Sequence, residues 1–91
     1  MTKWGLMRRS FLKEHRRGIY SGMMLEGTLK EHCLSIQRQA EERMDVIVEQ
    51  MTRTQGVDER LKASDQMKWV RMMNNIRVCA EESVLKELIY S

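Results

Sequence analysis

The 91-residue chain has no proline, five glycines, two cysteines and five aromatic residues. Cys33 and Cys79 make neither a disulfide framework nor a metal-spaced pair, which points to a reduced, cytoplasmic protein. No apolar run approaches the ~20 residues that a membrane span needs. The N-terminus lacks the apolar core of a signal peptide, so no membrane contact is expected. No Gly-rich phosphate loop occurs, and the few serines are not set in a nucleophile motif. Imidazole and thiol ligands number only four: His15, His32, Cys33 and Cys79. His32 and Cys33 are adjacent, so on a helix they point about 100° apart. These absences argue against a metal, a cofactor and a catalytic centre, and a non-catalytic protein is expected.

The shortage of aromatics also bears on assembly. Trp4, Phe11, Tyr20, Trp69 and Tyr90 fill little volume, and nine methionines do much of the apolar filling. Methionine packs adaptably but specifies a structure weakly. A chain this short allows one domain, residues 1–91, with a modest core. A homodimer or larger assembly is therefore expected.

Charge is plentiful and unevenly placed. Net charge is +3, yet residues 1–18 hold six basic groups against one acid, a local net of +5. The remainder is net −2. A basic arm on a near-neutral body is a pattern of nucleic-acid binders, and equally of a solvated basic helix face. Arg8, Arg9, Lys13, Arg16 and Arg17 are the candidate DNA-contacting residues, with phosphate rather than base edges as their target.

With proline absent, glycine punctuates the chain. The periodicity predicts an all-α protein with helices at about 3–16, 19–26, 28–55 and 65–90. Trp4, Met7, Phe11 and His15 give the first helix an inward face, and Gly18 is expected to end it. Tyr20, Met23 and Met24 face inward on the second, which Gly27 ends. Thr28 and Glu31 have the spacing of a capping box. The third helix has a near-heptad seam of Leu29, Cys33, Ile36, Ala40, Met44, Ile47 and Met51. Pairs at i,i+4 are expected between Glu49 and Arg53 and between Glu82 and Lys86. After Gly56, Asp58 can start a short turn of helix through Ala63. Ser64 or Asp65 then caps the last helix. Each long helix spans about 40 Å. The short connection between them implies antiparallel packing, which places Cys33 and Cys79 out of disulfide reach. The segment Ile19–Ile36 could mimic a helix-turn-helix, but its second helix is far longer than a recognition helix usually is.

The last helix carries two apolar stripes. Trp69, Met73, Ile76, Ala80 and Val84 form one, and Val78, Leu85 and Ile89 the other. Asn74, Arg77 and Glu81 lie between them, within roughly 60° of one another. Such a line reads as a buried polar network that fixes helix register, with Arg77 paired to Glu81.

Several segments together resemble a known family. They are Trp4-Gly5-x-Met7-Arg8-Arg9 followed by Phe11-Leu12-Lys13-Glu14-His15-Arg16, then Trp69-Val70 with Met73-Asn74-Asn75-Ile76-Arg77, and Ala80-Glu81-Glu82 leading to Leu88-Ile89-Tyr90. The chain resembles TnpV, a small protein encoded in bacterial transposons, from Trp4 to Tyr90. It departs from the family at Arg17, where proline is usual, and at Glu26 and Thr28, where serine and lysine often flank the glycine. The resemblance implies a mobile-element context and an accessory role, and supplies no catalytic residues. The leading expectation is DNA association through the basic first helix; the alternative is an adaptor that binds another transposon-encoded protein without touching DNA. Arginines clustered on one exposed face would favour the first. An exposed Met-rich groove with scattered basic residues would favour the second.

Overall fold

The computed structural model describes all 91 residues and contains helices and no strand. Five α-helices follow in order: α1 (Lys3–His15), α2 (Arg17–Glu26), α3 (Leu29–Gln55), α4 (Glu59–Ser64) and α5 (Gln66–Val84). The last of these runs on into a π-helical turn, Leu85–Ile89. Two short helices and two long antiparallel ones were expected, and the short Asp58-initiated helix appears as α4.

Local chemistry explains most boundaries. Asp58 Oδ1 accepts the Leu61 N–H at 3.0 Å, and Asp65 Oδ1 accepts that of Lys68 at 3.1 Å. Each satisfies a donor that a helix start would otherwise leave free. Gly27 and Gly56 end α2 and α3 at φ of 75° and 67°, a left-handed conformation that glycine adopts without a Cβ clash. After each, the next N–H reaches back to a carbonyl of the last turn. Thr28 donates to Met23 and Val57 to Thr52, both at 2.9 Å. Val57 is buried, the apolar contact that commonly seals this ending.

That same ending displaces the expected capping box. Thr28 makes no side-chain cap, because it is already folded into the α2 terminus at φ −104° and ψ −4°. A cap residue needs an extended backbone to aim its hydroxyl at the following turn. Nor does Gly18 end α1. The break falls at Arg16, and α2 resumes one residue later. The kink brings Tyr20 and Met23 onto a small core of Leu12, Leu29 and Cys33. Met24, expected inward, is exposed instead.

α3 is the spine, and every residue of its predicted seam is buried or packed against a core cluster. Toward its N-terminal half, α1 and the end of α5 lie against it, giving three helices in cross-section. Trp4, Ala40, Ile47, Ala80, Val84 and Ile89 form the main core there. The inward line of α1 is rotated from the expected one. Trp4 and Leu12 are buried, His15 is exposed, and Arg8 lies between them on the same line. The reason is that α1 fills the groove between α3 and α5 and must face both.

The second stripe of α5 does not survive as a stripe. Val78 is exposed, whereas Ile89 is wholly buried beside Val84. A regular α-helix would place residues 84 and 89 about 140° apart. The wider turn, closed by the Tyr90 N–H on the Leu85 carbonyl at 2.8 Å, carries Ile89 back onto the core side. It also takes Lys86 out of step with Glu82, and Glu87 pairs with Arg43 at 3.1 Å instead. The expected Glu49–Arg53 pair forms at 2.7 Å.

The polar line of α5 is not buried in the chain. Asn74 and Arg77 are exposed, and Glu81 pairs with Lys3 at 2.8 Å rather than with Arg77. On that side the first half of α5 has no helix over it, so nothing dries the line. Leu12→Ala should therefore destabilise by about 2–5 kcal/mol through cavity formation. Arg77→Ala should shift the urea midpoint far less than Leu12→Ala does, because it leaves no buried partner behind, which equilibrium denaturation of both variants checks.

Candidate interaction site at the corner of the first three helices

The five basic residues assigned to DNA contact do not share one face. Arg8 points inward. Its Nη1 donates to the carbonyls of Ile89 and Ser91, both at 2.9 Å, and its Nε donates to His32 Nε2 at 3.3 Å. Carbonyls at the end of a helix have no intrahelical donor, so a guanidinium is a fitting partner for them. Arg16 folds over Phe11, its guanidinium carbon 5.6 Å from the ring centroid, with Arg8 at 5.7 Å from the same ring. Tyr90 closes the group at 5.5 Å between ring centroids. Arg9, Lys13 and Arg17 are exposed.

None of Arg9, Lys13, Arg16 and Arg17 has a carboxylate within ion-pair distance. Of the six basic groups in residues 1–18, Lys3 alone is neutralised, by Glu81. The remaining cations of this end are thus unpaired with carboxylates and dispersed.

Beside Arg9 lies a cleft of ≈ 330 Å³, lined by Met1, Arg9, Met23, Met24, Gly27, Leu29 and Lys30. The α2–Gly27–α3 corner forms one wall and α1 the other. Three of its lining side chains are methionines, which re-pack readily around a partner. Ile19, Met24 and Leu25 stand exposed on α2, and Leu25 is 90% exposed. Sequence periodicity missed this surface, because the signal is the absence of a partner for α2's outer residues. A second cleft, ≈ 470 Å³, lies where α1 meets the chain's end and is lined by Leu6, Met7, Ser10, Phe11, Glu14, His15 and Tyr90.

Burial perturbs the groups behind the site. The His32 imidazole is held below its ordinary value, first by burial and then by the positive charge of Arg8. Burial likewise pulls the Arg8 guanidinium down. It pushes the Cys33 thiol up, against the opposing pull of Arg9 and Arg8, so Cys33 is an unreactive core residue. No group of three or more His, Cys, Asp or Glu side chains could hold a metal ion. No helix is long and apolar enough to cross a membrane.

Fold and site together describe a small helical protein with an open, basic-rimmed apolar cleft. Residues 1–89 match the family described as transposon-encoded protein TnpV, and the chain belongs to that family. No curated protein and no solved structure matches it.

The Arg8–His32 contact carries a pH dependence. His32 accepts from Arg8 only when neutral, and its folded-state pKa lies below the unfolded value of about 6.5. The unfolded chain then binds more protons in that interval, so stability rises with pH there. The contribution should be complete above about pH 7 and lost as pH falls through the depressed value. Urea unfolding from pH 7.5 to 5 should show that loss, and His32→Gln should remove the part of the slope that His32 supplies.

Proposed function

We propose that the chain is a helical adaptor that grips an acidic amphipathic segment of another protein encoded by the same transposon. The observation that carries this reading is the cleft itself. Met1, Met23, Met24 and Leu29 offer apolar surface, and Arg9 and Lys30 rim it with positive charge. An amphipathic helix laid in such a groove places apolar anchors inside and acidic residues against the rim. The exposed Ile19, Met24 and Leu25 extend the apolar surface, which a phosphate backbone would leave unused. The adaptor reading involves no catalytic step.

DNA association is the second reading. It rests on Arg9, Lys13, Arg16 and Arg17, which have no carboxylate partners. It loses Arg8, whose guanidinium is engaged inside the fold.

Fluorescence anisotropy separates the two. A labelled amphipathic peptide with an acidic flank should bind, and its lysine-flanked counterpart should not. Met24→Glu should weaken the acidic peptide by about tenfold or more, as loss of a central apolar anchor does. Duplex DNA should not bind at low salt. Binding to duplex instead, with log K falling against log salt by about 0.9 per phosphate, would establish the DNA reading. Loss of that binding on changing Arg9, Lys13, Arg16 and Arg17 to Gln would place it at this corner.

A further inference from the structure

The far half of the α3–α5 hairpin is built differently from the near half. Beyond the N-terminus of α1 only α3 and α5 remain side by side, with the short α4 at the tip. Ile47, Val57 and Ile76 are buried there, but other apolar side chains are not. Val48, Met51, Trp69, Met72 and Met73 are half-covered, and Met67 is 73% exposed. In the near half α1 supplies a third layer, and Ala40, Ala80, Val84 and Ile89 are fully buried.

The shape records the same deficit. The molecule measures 55 × 19 × 18 Å, with a radius of gyration of 16.7 Å. A compact chain of this length would have about 12 Å. Its surface of 6443 Å² compares with about 5,600 Å² for a compact monomer of its mass. The excess, about 850 Å², is close to what one partner buries in a protein–protein interface of standard size.

Charge selects the partner. Residues 41–49 of α3 hold Glu41, Glu42, Asp45 and Glu49 against Arg43 alone, a net of −3. Residues 66–78 of α5 hold Lys68, Arg71 and Arg77 and no acid, a net of +3. Glu42, Asp45, Lys68, Arg71 and Arg77 form no ion pair within the chain. The acidic stretch lies at mid-hairpin and the basic stretch begins at the tip. A two-fold axis across the hairpin, perpendicular to its helices, therefore lays the acidic segment of one copy over the basic segment of another.

We propose that the far half of the α3–α5 hairpin is a homodimer surface, on which the hairpin of a second copy packs two-fold to close a four-helix bundle. Such an interface is self-complementary: each copy contributes one acidic and one basic segment to it. Antiparallel four-helix bundles bury the kind of apolar rows that Met51, Trp69 and Met73 present here. This surface is distinct from the cleft at the α1–α2–α3 corner, and it stands or falls without that reading.

The test is sedimentation equilibrium of the full chain from about 1 to 100 µM, a range that resolves the dissociation constants of ordinary dimers. The wild type should be a dimer. Arg71→Glu with Arg77→Glu should raise the dissociation constant by about tenfold or more through like-charge contact. Adding Glu42→Lys and Asp45→Lys to that variant should restore the dimer. Restoration cannot arise from damaged folding, and circular dichroism of each variant checks the helices directly. A wild type that is monomeric throughout would overturn the proposal. So would a dimer indifferent to the first pair of substitutions, or one that the second pair fails to rescue.

Discussion

The guanidinium of Arg8 ties the two ends of the chain together. It sits on α1, donates to the carbonyls of Ile89 and Ser91, and meets His32 on α3. Three segments far apart in sequence converge on one planar cation. A guanidinium suits this place better than an ammonium, because its donors lie in a fixed fork that can serve several acceptors at once. The π-turn depends on the same arrangement. Its last carbonyl, that of the buried Ile89, has no donor within the turn and takes one from Arg8. Once Arg8 holds that end, α1 lies parallel to the close of α5 and antiparallel to the start of α3, and Trp4 and Leu12 have somewhere to go.

This third helix divides the molecule. Where α1 fills the groove, alanines at positions 40 and 80 let the helices approach, and the core closes around them. Gly5 serves the same end, since a Cβ there would come within 2.9 Å of Gln37 Oε1. Past Thr2, which donates to that same oxygen at 2.6 Å, the groove runs on without a filler. The near half is a small three-helix bundle, and the far half is a hairpin in which Trp69, Met72 and Met73 are still half in water.

Much of this was legible in the sequence, and what was not has identifiable causes. The α3 seam could be read because 27 residues without glycine or proline hold one unbroken period. The Asp58 and Asp65 caps followed from residue type alone. The π-turn could not be read, since a single wide turn changes the phase of everything after it. A constant 100° step therefore put Ile89 on the wrong stripe and joined Glu82 to Lys86. Arg8 was placed with its basic neighbours because charge counts do not distinguish an arginine in solvent from one that ends a helix. The inward line of α1 was off by part of a turn for the same reason: with Arg8 taken as outward, Leu12 lost its place beside it. The cleft at the Gly27 corner was invisible to periodicity, because a groove is a relation between three helices and not a pattern within one.

The two surfaces lie toward opposite ends of a molecule 55 Å long. The cleft of Met1, Met23, Met24 and Leu29 belongs to the end that α1 and α2 complete. The charge-divided hairpin belongs to the end that they leave bare. Neither needs the other's residues, so occupation of one does not block the other. A two-fold pairing through the hairpins would direct the corners outward from the shared bundle and present two clefts on one particle. If both segments to be gripped are themselves joined, the second binding event becomes intramolecular, and weak individual contacts gain in proportion to effective concentration. A cleft of only ≈ 330 Å³ offers limited apolar area for a single tight contact. Duplication of that cleft is therefore the simplest physical route by which so small a surface could hold a partner firmly.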